Sequence, residues 1–465
     1  MMFTEVMDRF AEQSPVSVMF RGTFENAVTP ELLDEVFANS AKRQRCSELL
    51  FSSVVDLLGL VVTGTRKSVN DAYRAKKEQL TVSVTAVYDK LQGVETEVSR
   101  QMVRQTASRM AQVVDRLGKG RRPLLRGYRV KIIDGDHLAA TEHRIEELRT
   151  IGSGPLPGHA LVVLEPDRML MTDVFPCEDA HAQERSLLPQ VLQTVQAGDL
   201  WIADRNFCTT GFLFDIAARR AKFLIRQHRQ TLSWELLGSR RKIGRCPTGM
   251  IYEQKVRLTN KEGRERIVRR ITIKLKKPTR NGDTEIHLLT NLPASDANAR
   301  AVADLYLRRW TVENAFQELG QALHSEINTL GYPKAALLSF CVAILAYNVI
   351  SVVKSALAAV HGAKAQRQSL SGYYLAGELA AAYHGMAIAV PAEEWTRHFG
   401  SLTANQLARI LKTLAAKVRP DRFRKNVRGP KKPRPKRSSG KRHPHVSTAR
   451  ILAQRKPPKM HAVKA

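Results

Sequence analysis

Cysteine is scarce in this 465-residue chain. The five that occur, Cys46, Cys177, Cys208, Cys246 and Cys341, are widely scattered and form no CxxC pair. That excludes a disulfide scaffold or a zinc ribbon and fits a reducing cytosol. No internal repeat of about 20–50 residues is visible, so a solenoid is excluded. Acidic residues are in deficit, with 44 Asp and Glu against 74 Lys and Arg, which leaves a net charge of +30. Such a charge favours a polyanion partner. The N-terminal stretch MMFTEVMDRFAEQ has no apolar run, so no secretory signal is expected. Long uncharged runs are also missing, with one exception, Ala335 to Val353. Its length could span a bilayer, but Ser339, Tyr347, Asn348 and Ser351 dilute it and no second span exists. It reads as a buried core helix, with no membrane partner.

What is present is globular: 43% hydrophobic and 25% charged residues, on a chain long enough for roughly two to four domains. Residues 1–125 read as a helical region. Leu49, Leu50, Val54, Leu57 and Leu58 recur at helical spacing. Two helical patterns flank Gln92-Gly93, with Arg100, Arg104 and Arg109 on the second. A helix-turn-helix reading DNA is one interpretation and plain packing is the other.

From residue 126 to about 330, strands and helices alternate as in an α/β sheet. Tyr128–Asp134 and Leu200–Asp204 are apolar strands that end in an acid. His159–Glu165 and Met169–Phe175 form a hairpin around Pro166-Asp167, and Lys222–Arg226 is a further strand. Between about 227 and 292 the pattern is β only, an insertion in the α/β domain. Trp234 in that insertion suits stacking on a flipped base or packing within its strand, while Trp201 and Trp310 read as core. A long helix should start near Ser295 or Asp296. Residues 331–416 are again helical. The segment 417–465 carries eighteen Lys and Arg against one acid, Asp421, together with seven prolines. It reads as a disordered, phosphate-binding arm.

The acids supply the chemistry. Asp134 is followed by Gly135, which would free the chain to turn, and Asp204 by Arg205-Asn206. The carboxyl ends of strands in α/β sheets are where ligands sit. Two acids there would repel unless a divalent cation such as Mg²⁺ relieved the cost. A third acid comes from the long helix. Val302, Leu305, Val312, Phe316, Leu319 and Leu323 form an apolar seam, and Arg309 falls where an apolar residue should be. Tyr306 and Glu313 lie one position off that seam, and Arg309 and Glu313 are i,i+4 neighbours. Three carboxylates in a basic protein suggest two-metal phosphoryl transfer on nucleic acid, with Arg309 and Tyr306 holding a phosphate. Asp136 is an alternative first ligand and Glu318 a lesser rival to Glu313. His137, Glu142, His143 and Arg144 resemble a metal cluster only superficially.

The order Asp134-Gly, Asp204-Arg-Asn-Phe, β insertion, then Tyr306-x2-Arg309-x3-Glu313 resembles the DDE transposases of bacterial insertion sequences, in the insertion sequence 4 family. That family's last motif is Y-x2-R-x3-E-x6-K, and its Lys is Gly320 here, with His324 the nearest basic residue. The resemblance implies a ribonuclease-H-like catalytic core with a β insertion, flanked by helical regions. It implies cut-and-paste transposition in the cytoplasm on terminal inverted repeats and target DNA, by a homodimer in a synaptic complex. Asp134, Asp204 and Glu313 would hold two Mg²⁺ ions, for which Mn²⁺ could substitute. Tyr306 and Arg309 would contact phosphates near the cleaved end. An inactive DNA-binding derivative, which Gly320 favours, and a structure-selective nuclease on the same fold are the competing readings.

Overall fold

Strict alternation of side chains across a central sheet sets the architecture. In the computed structural model, which describes residues 4–44, 48–118, 123–228, 232–279, 282–367, 370–426 and 445–454, seven helices come first. They are α1 (Glu5–Gln13), α2 (Pro15–Ala27), α3 (Pro30–Ser40), α4 (Phe51–Val62), α5 (Val69–Ala75), α6 (Val84–Gly93) and α7 (Thr96–Leu117). Five strands follow: β1 (Arg129–His137), β2 (His159–Glu165), β3 (Leu170–Cys177), β4 (Asp199–Ala203) and β5 (Lys222–Arg226). Helix α8 (Leu188–Leu192) lies between β3 and β4, and α9 (Thr210–Ala218) between β4 and β5.

These strands stand in the order β3-β2-β1-β4-β5. β2 is antiparallel to β1, while β1, β4 and β5 run parallel. That is the topology of a ribonuclease-H-like core. Along β1 and β4 the residues Val130, Ile132, Leu200 and Ile202 face one hydrophobic core, and Ile133, Trp201 and Ala203 face a second. The period-2 pattern therefore buries both faces. The second core is closed by α8 and α9, through Val191, Phe212 and Ile216.

The insertion does not form a separate body. Its strands β6 (Ser233–Cys246), β7 (Gly249–Thr259), β8 (Glu265–Leu275) and β9 (Glu285–Thr290) continue the same sheet. β9 pairs antiparallel with β5, and the nine strands run β3-β2-β1-β4-β5-β9-β8-β7-β6. Strand β6 has no signature in the sequence because most of it, including Arg240, Arg241 and Lys242, is exposed.

Two helices replace the single long helix expected after residue 295. α10 (Ala299–Leu307) is capped by Asn298, whose side chain accepts from the Ala301 N–H, and not by Ser295 or Asp296. α11 (Trp310–Ala322) follows after a break at Arg308-Arg309. The break leaves Trp310 54% exposed, so its expected place in the core is wrong. The seam itself holds: Val302, Leu305, Val312, Leu319 and Leu323 are buried.

The long apolar run is the start of α12 (Pro333–Arg367), which Gly362 interrupts at φ 63°. Its most apolar window is long enough to cross a membrane but is wholly buried in the protein, where Asn348 pairs with both the N–H and C=O of Met171 on β3. Helices α13 (Gly372–Ala389), α14 (Ala392–Trp395) and α15 (Ala404–Ala416) complete the helical layer. The segment expected to be disordered from 417 onward has structure in two places. Residues 420–423 form a helical turn, and His445–Ser447 pairs with Gly154–Leu156 before a short helix. There Arg450 and Ser447 bind Asp179. Residues 427–444 and 455–465 of that segment, and Cys46, lie outside the described residues.

Helix α7 has one face buried in the fold, while Arg109 on its other face is exposed. It packs against β3 and α12, burying Val98, Met102, Val103, Met110 and Val113. Arg100 is buried with it, donating from Nε to Asp173 at 3.1 Å and lying over the Phe175 ring. Packing accounts for the apolar face of the helical hairpin. Losing one partner of a buried ion pair strands the other charge at a cost of about 3–5 kcal/mol. Asp173→Ala should lower unfolding free energy by that order in urea titration. A loss below about 1 kcal/mol would mean the pair does not fasten α7 to the sheet.

Candidate active site

The parallel register of β1 and β4 brings the first two acids together. Ile132 lies opposite Ile202, so Asp134 and Asp204, each two residues further on, leave neighbouring strands on the same face. Neighbouring strands are about 4.8 Å apart. That face is the one on which α11 packs against β1, and α11 delivers Glu313 from its first turn. A guanidinium joins the acids. Arg309 donates from Nη1 to Asp134 at 2.9 Å and from Nη2 to Glu313 at 2.6 Å. Arg309 is buried, as its position on the apolar seam requires, and the buried cation is matched by two carboxylates.

Burial pushes the Asp134 carboxyl up to about 7, with Arg309 pulling it down and Asp204 and Glu313 adding to the rise. Its Oδ1 accepts from the Gly135 N–H at 3.0 Å. Asp204 Oδ1 accepts from the Asn206 N–H at 2.6 Å, capping the short turn Arg205–Phe207. Tyr306 is buried beside Arg309, and burial pushes its hydroxyl up to about 12.

The structure thus gathers Asp134, Asp204, Glu313, Arg309 and Tyr306. Asp136 does not join them: it faces Glu326, and burial first and Glu326 second push it up to about 6. Glu318 is bound to Lys354 at 2.5 Å, off the site. Gly320 is exposed with open space around it, and His324 lies against Gly64 of the helical region. Trp234 is partly buried against the second core with Arg270 over its ring, which is the packed arrangement. His143 and Arg144 are engaged with Ser153 and Glu142.

Gly135 has a role the sequence did not suggest. β1 does not end at Asp134 but runs on to His137, paired with β2 throughout. No turn occurs at Gly135. A Cβ there would meet the Glu184 carboxylate at 1.9 Å. Glu184 and Arg185 are further residues of the site that sequence reasoning missed, since a lone Glu-Arg pair before a short helix carries no signal.

Among the described residues, no group of three or more His, Cys, Asp or Glu side chains stands close enough to hold a metal ion. The donor set nevertheless suits a hard divalent cation, and a cation is already held there. The Arg309 guanidinium stands in the gap between Asp134 and Glu313.

Residues 125–349 match the family model described as the transposase DDE domain. The match spans all three acids, Arg309 and the β insertion, and it supports a DDE transposase. Among solved structures, the chain is similar to the cryo-EM structure of piggyBac transposase in a synaptic complex with hairpin DNA. That likeness has 9% identity and a TM-score of 0.37, over 90% of this chain and 86% of that one. At that score it adds nothing to the family match. No curated protein matches the chain.

The DDE region carries a pH signature. The unfolded Asp134 loses its proton near 3.8, whereas the folded one keeps it to about 7. Between those values the folded state binds more protons, so stability falls as pH rises through the window. In metal-free protein, urea unfolding from pH 4.5 to 7.5 should show this decline, and Asp134→Asn should flatten it. An unaltered slope in the variant would mean that Asp134 titrates as an ordinary carboxylate.

Proposed function

We propose that this protein is a DNA transposase of the bacterial insertion-sequence type, cutting and joining DNA at the ends of its element. The observation that carries the proposal is the convergence of Asp134 and Asp204, from adjacent parallel strands, with Glu313 from α11. In this reading the three carboxylates hold two Mg²⁺ ions, with Mn²⁺ able to substitute. When bound, the ions supply the positive charge that acidifies an attacking water or 3′-hydroxyl and stabilises the leaving oxygen.

The chain's own residues do the rest. Asp134 and Asp204 are held by backbone N–H groups, which fixes one oxygen of each. Arg309 bridges Asp134 and Glu313, one positive charge against the two carboxyl groups. Its fork matches phosphate oxygens and would serve to hold a DNA phosphate. Tyr306 sits beside it to hold the same phosphate. The partners are terminal inverted repeats and target DNA, bound by a homodimer in the cytoplasm. The eighteen basic residues from 417 onward add sequence-independent phosphate affinity.

A second reading, an inactive DNA-binding derivative, is favoured by one observation: the family's Lys is Gly320, exposed and facing open space. One experiment separates the two. Labelled terminal-repeat DNA is incubated with protein in Mg²⁺ or EDTA. Mg²⁺-dependent nicking is expected, and Asp134→Ala, Asp204→Ala and Glu313→Ala should each reduce it at least about a thousandfold (~4 kcal/mol) while DNA retention persists. Retention with no nicking by the wild type would leave the binding protein; nicking without joining would leave a nuclease. Removing residues 427–465 should weaken binding to all sequences alike and lower the slope of log affinity against log salt. An unchanged slope would remove the arm from the account.

A further inference from the structure

Each aspartate of the candidate site faces α11 on one side of the sheet. What supports them from the other side is a single carboxylate. Glu184 opens the helical turn before α8, on the face of the second core. Odd-numbered residues of β1 face that side, so Gly135 points at Glu184 while Asp134 points away. The Glu184 Oε1 atom would lie 1.9 Å from a Cβ at Gly135, so it rests on the Gly135 backbone next to Asp134. Its Oε2 accepts from the Asn206 side-chain amide at 2.5 Å. The neighbouring Arg185 donates from Nε to the Asn206 carbonyl at 2.6 Å. Asn206 is therefore gripped on its side chain and on its main chain, and its N–H is the donor that orients Asp204.

We infer that Glu184 is a positioning residue that fixes the spacing of the two metal-binding aspartates, by bracing the Asp134-Gly135 strand and the Asp204–Asn206 turn at once. The inference rests on the reading of Asp134 and Asp204 as metal ligands. Burying another carboxylate beside an acid cluster is electrostatically unfavourable. A purely structural contact could be made by an apolar side chain. Glu184 instead meets the Asn206 amide as a hydrogen-bond acceptor, a contact that an apolar side chain cannot make. Partners that orient metal ligands commonly change metal affinity or rate by about 10–100-fold when removed.

The test measures Mn²⁺ affinity by electron paramagnetic resonance on the full chain bound to terminal-repeat DNA, alongside kcat and KM for nicking. Glu184→Ala should weaken Mn²⁺ binding and lower kcat, each about tenfold or more, with KM for DNA unchanged. Glu184→Gln keeps an acceptor for Asn206 and should stay near wild type. Gly135→Ala should act in the same direction as Glu184→Ala, because its methyl group pushes the carboxylate off the Gly135 backbone. The double variant should be no worse than Glu184→Ala alone, since the collision is gone. Unchanged Mn²⁺ affinity in Glu184→Ala, with the wild type binding Mn²⁺ normally, would overturn the inference alone. Strictly additive damage in the double variant would also overturn it. A wild type with no Mn²⁺ site at the acids would overturn the underlying reading and the inference together.

Discussion

Everything at the end of this sheet that carries Asp134 and Asp204 depends on how negative charge is compensated. Asp134 and Asp204 leave adjacent parallel strands on one face, and Glu313 approaches from the helix above. Carboxylates that raise one another's proton affinity in a partly buried place are costly to ionise together without a cation. In the structure that cation is Arg309, buried on an apolar seam and bonded to two of the three acids. A buried arginine of this kind contributes little net stability, because desolvation offsets its attraction. It matches the acids' charge where they converge.

The rest of the molecule serves that arrangement. The sheet is buried on both faces, with α8 and α9 below and the large helical layer above. α12 runs through the middle of that layer as a core helix, and Asn348 ties it to β3. α7 is fastened to the same strand by Arg100. Both regions flanking the core are thus structural supports for the sheet. Basic sequence elsewhere, in the exposed β6 and the segment after residue 417, supplies the charge that attracts a polyanion.

Much of the site was legible because it breaks local rules. An arginine in an apolar heptad-like seam is an anomaly, and the structure resolves it as the bridge between carboxylates. Apolar strands running into an acid were readable for the same reason. What stayed hidden follows from physics that sequence patterns do not carry. β6 is a mostly exposed strand, so it lacks alternation. The break between α10 and α11 has no proline or glycine to announce it, and it turns Trp310 outward. Gly135 leaves room for the Glu184 carboxylate, which comes from 49 residues away in sequence. The arginines of α7 looked free to bind DNA, yet Arg100 has a partner on β3 that is distant in the chain.

Anomalous diffraction from Mn²⁺-soaked crystals of the DNA complex addresses the central claim most directly. The account requires metal density among the carboxylates of Asp134, Asp204 and Glu313, with the Arg309 side chain withdrawn from the gap it fills here. Saturating Mn²⁺ with no density at those acids, and Arg309 still seated between Asp134 and Glu313, would contradict it.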